Sequence, residues 1–151
     1  MRYPMHIDTW WAPLLLMGGA TQHNSFVDLT DDEVILHFGL IFRDKVPRGD
    51  IESAKIRAWP LWYGVGWRGL PPGTVGLIGS YQGVVEITLR KRRRAWGVLP
   101  YSRICVSLEN PDAFIDAVTG REKPAAAEAP ARRAGTRHRG APRRSRGRNA
   151  E

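Results

Sequence analysis

Cysteine is almost absent from this chain of 151 residues. Cys105 stands alone, which excludes an internal disulfide and leaves two-thiol redox chemistry without a second sulfur. Such usage fits a reducing cytoplasm. Long apolar runs are missing as well. The stretch 10–20 is much shorter than the roughly 18 to 20 residues a membrane-spanning helix needs, and Pro13 interrupts it. With Asp8 just ahead of it and Arg2 the only nearby cation, it is a poor secretory signal and is expected to be part of a buried first strand. His6, His23, His37 and His138 lie far apart, and none shares metal-ligand spacing with a Cys, Asp or Glu, so no metal site is expected. Ser80 in GSYQG misses the GxSxG elbow and has no acid and base signal to accompany it. The expectation is a non-enzymatic protein that needs no small-molecule cofactor.

What the chain has in excess is positive charge, unevenly distributed. Of the formal net charge of +8, residues 121–151 contribute ten Lys and Arg against Glu122, Glu128 and Glu151, a balance of +7. The remaining 120 residues are almost neutral at +1, so the high isoelectric point says nothing about their partners. Residues 121–151 contain no Val, Ile, Leu, Met or aromatic residue to offset the entropy of ordering them, which predicts a disordered basic tail. Its arginines, among them Arg132, Arg133, Arg143 and Arg144, are candidates for nonspecific contact with nucleic acid or another polyanion. A body of about 120 residues buries roughly two-thirds of its unfolded surface, enough for one core.

Within that body, short β-branched and apolar runs are punctuated by Gly, Pro and Asp, as in antiparallel strands. Strands are expected near 5–16, 25–29, 34–42, 44–46, 51–58, 74–78, 84–90 and 104–108. Alternation puts Val34, Leu36 and Phe38 on one face and Ile104, Val106 and Leu108 likewise, predicting sheets with one apolar face each. One helix is signalled: Asn110 as N-cap, Pro111 at the first position, the stripe Ala113, Phe114, Ala117 and Val118, and Gly120 as the stop. The fold class is therefore mainly β, a small barrel or sandwich of antiparallel strands with one C-terminal capping helix.

The segments DDEVILHFG, KVPRGDIESAKI, GVGWRG, GSYQGVVEITL and VSLENPDAFIDAV, in that order, resemble a group of uncharacterised bacterial proteins with a pleckstrin-homology-like (PH-like) domain. The resemblance covers residues 1–120. It implies two roughly orthogonal sheets capped by a helix, used for binding and not for a reaction. Familiar PH domains hold phosphoinositides with basic residues in the loop after the first strand. The corresponding stretch here, MGGATQHNS, has no Lys or Arg, so that specificity is not carried over.

Three surface features remain. Residues 64–69 fit the GxGxxG pattern, but the run is followed by Leu70-Pro71-Pro72-Gly73 and not by a helix whose N-terminus could hold a pyrophosphate, so a glycine-rich connection is expected. Trp59, Trp62, Tyr63 and Trp67, with Arg68 beside them and Trp96 further on, form a candidate partner surface, since large rings bury much area with few rotors to freeze; the alternative is a plug for one end of the body. Arg90, Lys91, Arg92, Arg93 and Arg94 are expected at a turn between two strands, suited to anionic lipid headgroups or phosphates and equally explained as a solvated hairpin tip. His37 is expected on an outer sheet face, and Cys105 packed and unreactive. The functional expectation is a binding or scaffolding module, cytoplasmic and peripheral to a membrane or docked to a protein partner. Nonspecific nucleic-acid binding through the tail and residues 90–94 is the alternative, and an enzyme or small-ligand carrier the remote third.

Overall fold

Alternation turns into sheet wherever one face finds apolar cover. The computed structural model describes residues 1–120. Its first sheet is antiparallel in the order β1 (Arg2–Pro4), β2 (Ser25–Leu29), β3 (Glu33–Phe38), β4 (Phe42–Pro47). Val27 and Leu29 of β2, and Val34, Leu36 and Phe38 of β3, point inward as their spacing predicts. The second sheet contains β5 (Ile51–Ile56), β6 (Gly66–Leu70), β7 (Thr74–Ile78), β8 (Val84–Ala95) and β9 (Leu99–Ser107), in the order β5-β8-β9-β7-β6. The architecture is mainly β and sandwich-like, without closure into a barrel. Fully burying each apolar side chain between the sheets contributes about 1.5–3 kcal/mol.

The sheets cross. β1 continues into Met5, which bridges Leu108, and His6 N–H donates to the Ser107 carbonyl at 2.9 Å, so this edge of the first sheet lies by the end of β9. The opposite edge, β4, lies by the far end of the β8–β9 hairpin: Arg93 donates to the Lys45 carbonyl at 2.7 Å, and the Tyr101 hydroxyl donates to Asp44. The strand order of one sheet is thus laid along the strands of the other, and the chain turns the corner after β1.

Four expectations need correction. Residues 5–16 are not one strand: after isolated bridges at Met5 and Ile7 the chain forms α1 (Ala12–Met17), because Pro13 sits in the first turn, where a missing N–H costs nothing, and Gly18-Gly19 ends it. The strands are not all antiparallel, since β9 inserts between β8 and β7 and pairs with β7 in parallel. The glycine-rich run 64–69 is not only a connection, because Gly66–Leu70 is the edge strand β6. The second sheet is buried on both faces and not on its apolar face alone: Glu86, Cys105 and Ser107 on its outer side are buried as well. The signalled helix α2 (Pro111–Thr119) is present and ends at Gly120 in the left-handed conformation, although the Asn110 side chain makes no capping bond. It packs on β5 and β8, and its fully buried Phe114 meets Tyr3 of the first sheet edge-on at 5.2 Å. Arg48 Nη2 donates to the Ala117 carbonyl at 2.6 Å, completing the closure of that opening.

Candidate functional site

Trp59 belongs to the core and not to a partner surface. It is 5% exposed, its ring lies over Gly76 on the outer face of the second sheet, and its Nε1 donates to the Gly64 carbonyl at 3.0 Å. Only glycine leaves room there: a Cβ at position 76 falls 2.8 Å from the Trp59 ring. Tyr63 packs edge-on against Trp59 at 5.3 Å, and between them a single 3-10 turn, Leu61–Tyr63, holds Trp62 out at 83% exposure. Trp67, on β6, and Trp96, at the tip of the β8–β9 hairpin, meet with ring centres 4.9 Å apart. Trp96 also leans edge-on against Phe42, at 5.6 Å. The six aromatic and arginine positions singled out from the sequence therefore divide into a buried anchor, a displayed turn, and a Trp67–Trp96 pair, with Arg68 exposed and its guanidinium against Gly64.

What joins them is α1, which sequence reasoning missed as a surface element. Trp11 packs edge-on against Tyr81 at 6.1 Å, and the Tyr81 hydroxyl donates to the Leu61 carbonyl at 3.2 Å, tying α1 to the turn that carries Trp62. The buried Leu15 lies beside Gly66, and the Gly18-Gly19 end of α1 abuts Ile41 and Leu40 of the β3–β4 turn. That turn requires glycine at position 39, where φ is +58° and a Cβ would come within 2.6 Å of the Gly19 carbonyl. A cleft of about 300 Å³ between α1 and β6 is lined by Leu14, Phe38, Ile41 and Trp67 among others. The result is one apolar band across the opening opposite α2, running from Trp62 through α1 to Leu40, Trp96 and Val98. The helix start at Pro13 and stop at Gly18-Gly19 were legible signals for it.

The cationic run is not a turn. Arg90–Arg94 lie within β8, and the turn falls at Trp96-Gly97, both with positive φ. Pairing with β9 makes these residues a strand, since Arg93 and Arg94 stand opposite Tyr101 and Pro100. Arg93 alone turns inward, toward Asp44 at 3.6 Å and Asp50 at 3.9 Å, and Lys91 reaches Asp50 at 4.0 Å. Arg90, Arg92 and Arg94 are exposed and form no ion pair among the described residues. Arg132, Arg133, Arg143 and Arg144 lie outside the described residues.

Groups capable of chemistry are turned to structural use. Burial pushes the Cys105 thiol up to about 11, so it carries little thiolate at neutral pH. Glu86, buried beside it, accepts from Arg57 and faces Lys55 at 3.5 Å. His37 sits on the outer face of the first sheet, stacked on Phe26 at 4.5 Å, and burial with Arg43 nearby holds it below the ordinary imidazole range. Ser80 Oγ accepts the Gln82 N–H at 3.1 Å. Among the described residues no three His, Cys, Asp or Glu side chains gather at metal-ligand distance, and no helix is long and apolar enough to cross a membrane. No family model, curated protein or solved structure matches the chain.

Proposed function

We propose that this chain is a non-enzymatic, PH-like docking module of the cytoplasm whose working surface is the apolar band at the α1 opening. Two crossing sheets closed on one side by a C-terminal helix support the PH-like reading. The observation that carries the docking reading is the distribution of exposed side chains. Of the large apolar residues left exposed among the described residues, all but Met1 and Ile56 belong to α1 and its approach, the Leu61–Tyr63 turn, the β3–β4 turn or the β8–β9 tip. A monomeric soluble domain rarely leaves apolar patches of more than a few hundred Å² contiguous unless something covers them. The backbone at the tip supports the same reading. A β-turn with positive φ at both central positions favours Asn-Gly, yet in the turn closed by Val98 N–H on the Ala95 carbonyl Trp96 occupies the first at φ 47°, a conformation that costs a bulky residue about 1 kcal/mol.

The test is positional. A photo-crosslinking residue placed at Leu40, on the band, is expected to capture partner material, lipid or protein, from whole-cell extract, whereas the same residue at Ile56 is not. Comparable yields at the two positions would remove the band as the working surface.

A further inference from the structure

We infer that the occupant of this band is the surface of an anionic lipid bilayer; the inference rests on the docking reading above and names its partner. The argument comes from charge. The elements that build the band, residues 10–20, 38–43, 61–70 and 90–99, contain none of the twelve Asp and Glu of the body but seven of its thirteen Lys and Arg, and the neighbouring Asp44 and Asp50 pair with Lys91 and Arg93. Acids instead crowd the α2 end, at Asp31, Asp32, Glu33, Glu52, Asp112 and Asp116. A body that is nearly neutral in total is therefore strongly polarised, with its apolar end cationic.

Many of those cations are free to act. Arg43, Arg68, Arg90, Arg92 and Arg94 form no ion pair among the described residues, while Lys91 and Arg93 are held by Asp44 or Asp50. Arg94 and Arg92 precede Trp96 by two and four residues in an extended strand, about 7 and 14 Å along it. The headgroup layer of a bilayer is about 5–8 Å deep on each side, so a tip resting at the acyl boundary brings Arg94 among the phosphates and leaves Arg92 just above them, within reach of the surface potential.

The apolar side chains distinguish a bilayer from other polyanions. Leu16, Met17, Leu40 and Val98 have nothing to bind on a phosphodiester backbone, but acyl chains accept them. Trp10 at 87%, Trp62 at 83% and Trp96 at 54% exposure are the amphipathic rings that settle at headgroup level.

The experiment uses the full chain with vesicles of phosphatidylcholine containing about one-third phosphatidylglycerol, and with phosphatidylcholine alone. Co-sedimentation is expected with the anionic vesicles, together with a blue shift of tryptophan emission. Met17→Asp combined with Leu40→Asp alters two sites of 88% and 87% exposure, leaving thermal stability unchanged, and is expected to weaken binding at least tenfold. Ile56→Asp, the off-band control, is expected to bind as the parent does. Part of the binding is expected to survive about 0.5 M salt, where surface electrostatics are largely screened. The inference is overturned if no vesicle binding is found, if the double variant binds like the parent and high salt abolishes everything, or if both variants lose equally. It is also overturned if sedimentation shows the band buried in a dimer. Vesicle failure alongside crosslinks from Leu40 but not Ile56 would leave the docking reading standing with a protein as occupant, whereas comparable crosslinking at the two positions would end both.

Discussion

A single missing side chain at position 76 sets the height of the aromatic loop. Gly76 is buried mid-strand, where glycine ordinarily costs about 0.5–1 kcal/mol relative to alanine. It is required because the Trp59 ring occupies the space of its Cβ, and that ring cannot step aside while its N–H is bonded to Gly64. Gly76→Ala is therefore expected to destabilise the protein by about 1–2 kcal/mol in urea unfolding, despite the better strand propensity of alanine. In a Trp59→Leu background the same change should become neutral or stabilising. A cost unchanged by that background would show that the ring and the glycine are not coupled. Sequence reasoning found the tryptophan but left it between a partner surface and a plug for one end of the body, because nothing local to residues 58–67 reveals the glycine seventeen positions beyond Trp59.

Elements were legible where their signals are local. α2 declared itself through Pro111, an apolar stripe and Gly120, and β7 through Thr74, Val75, Leu77 and Ile78 set between Gly73 and Gly79. α1 was misread because its apolar residues face both inward and outward, so burial logic gave it no polar side; only the proline and glycine punctuation marks it. Two elements were set by tertiary pairing. β6 is rich in glycine yet is held by its register with β7, and the arginines of β8 are drawn into a strand by β9. These assignments separate two substitutions of similar size. Phe114→Ala removes a fully buried ring that joins α2 to Tyr3 and is expected to cost about 3 kcal/mol or more. Arg92→Ala, on the exposed side of β8, should stay within about 0.5 kcal/mol. Chemical denaturation of both variants checks the pair, and comparable costs would contradict the closure of the sandwich by α2.

At the scale of the molecule, residues 1–120 carry all the apolar side chains larger than alanine except proline, so folding is expected to be complete without the rest. A chain ending at Gly120 should melt within about 5 °C of the full chain, since a larger fall corresponds to roughly 1 kcal/mol of lost contact. Calorimetry on the two proteins decides it. The separation of acids from arginines across the body has a further consequence. Ending at Gly120, the chain carries a formal charge of only +1 and is scarcely pulled by a charged plane, but its dipole is turned by one, so it arrives already oriented with the hairpin tip leading. That torque acts over the molecular radius, about 14 Å for this many residues, whereas the screening length at 0.1 M salt is about 10 Å. Modest salt therefore blunts alignment before it weakens adhesion, and productive encounters become rarer while those that succeed last as long as before.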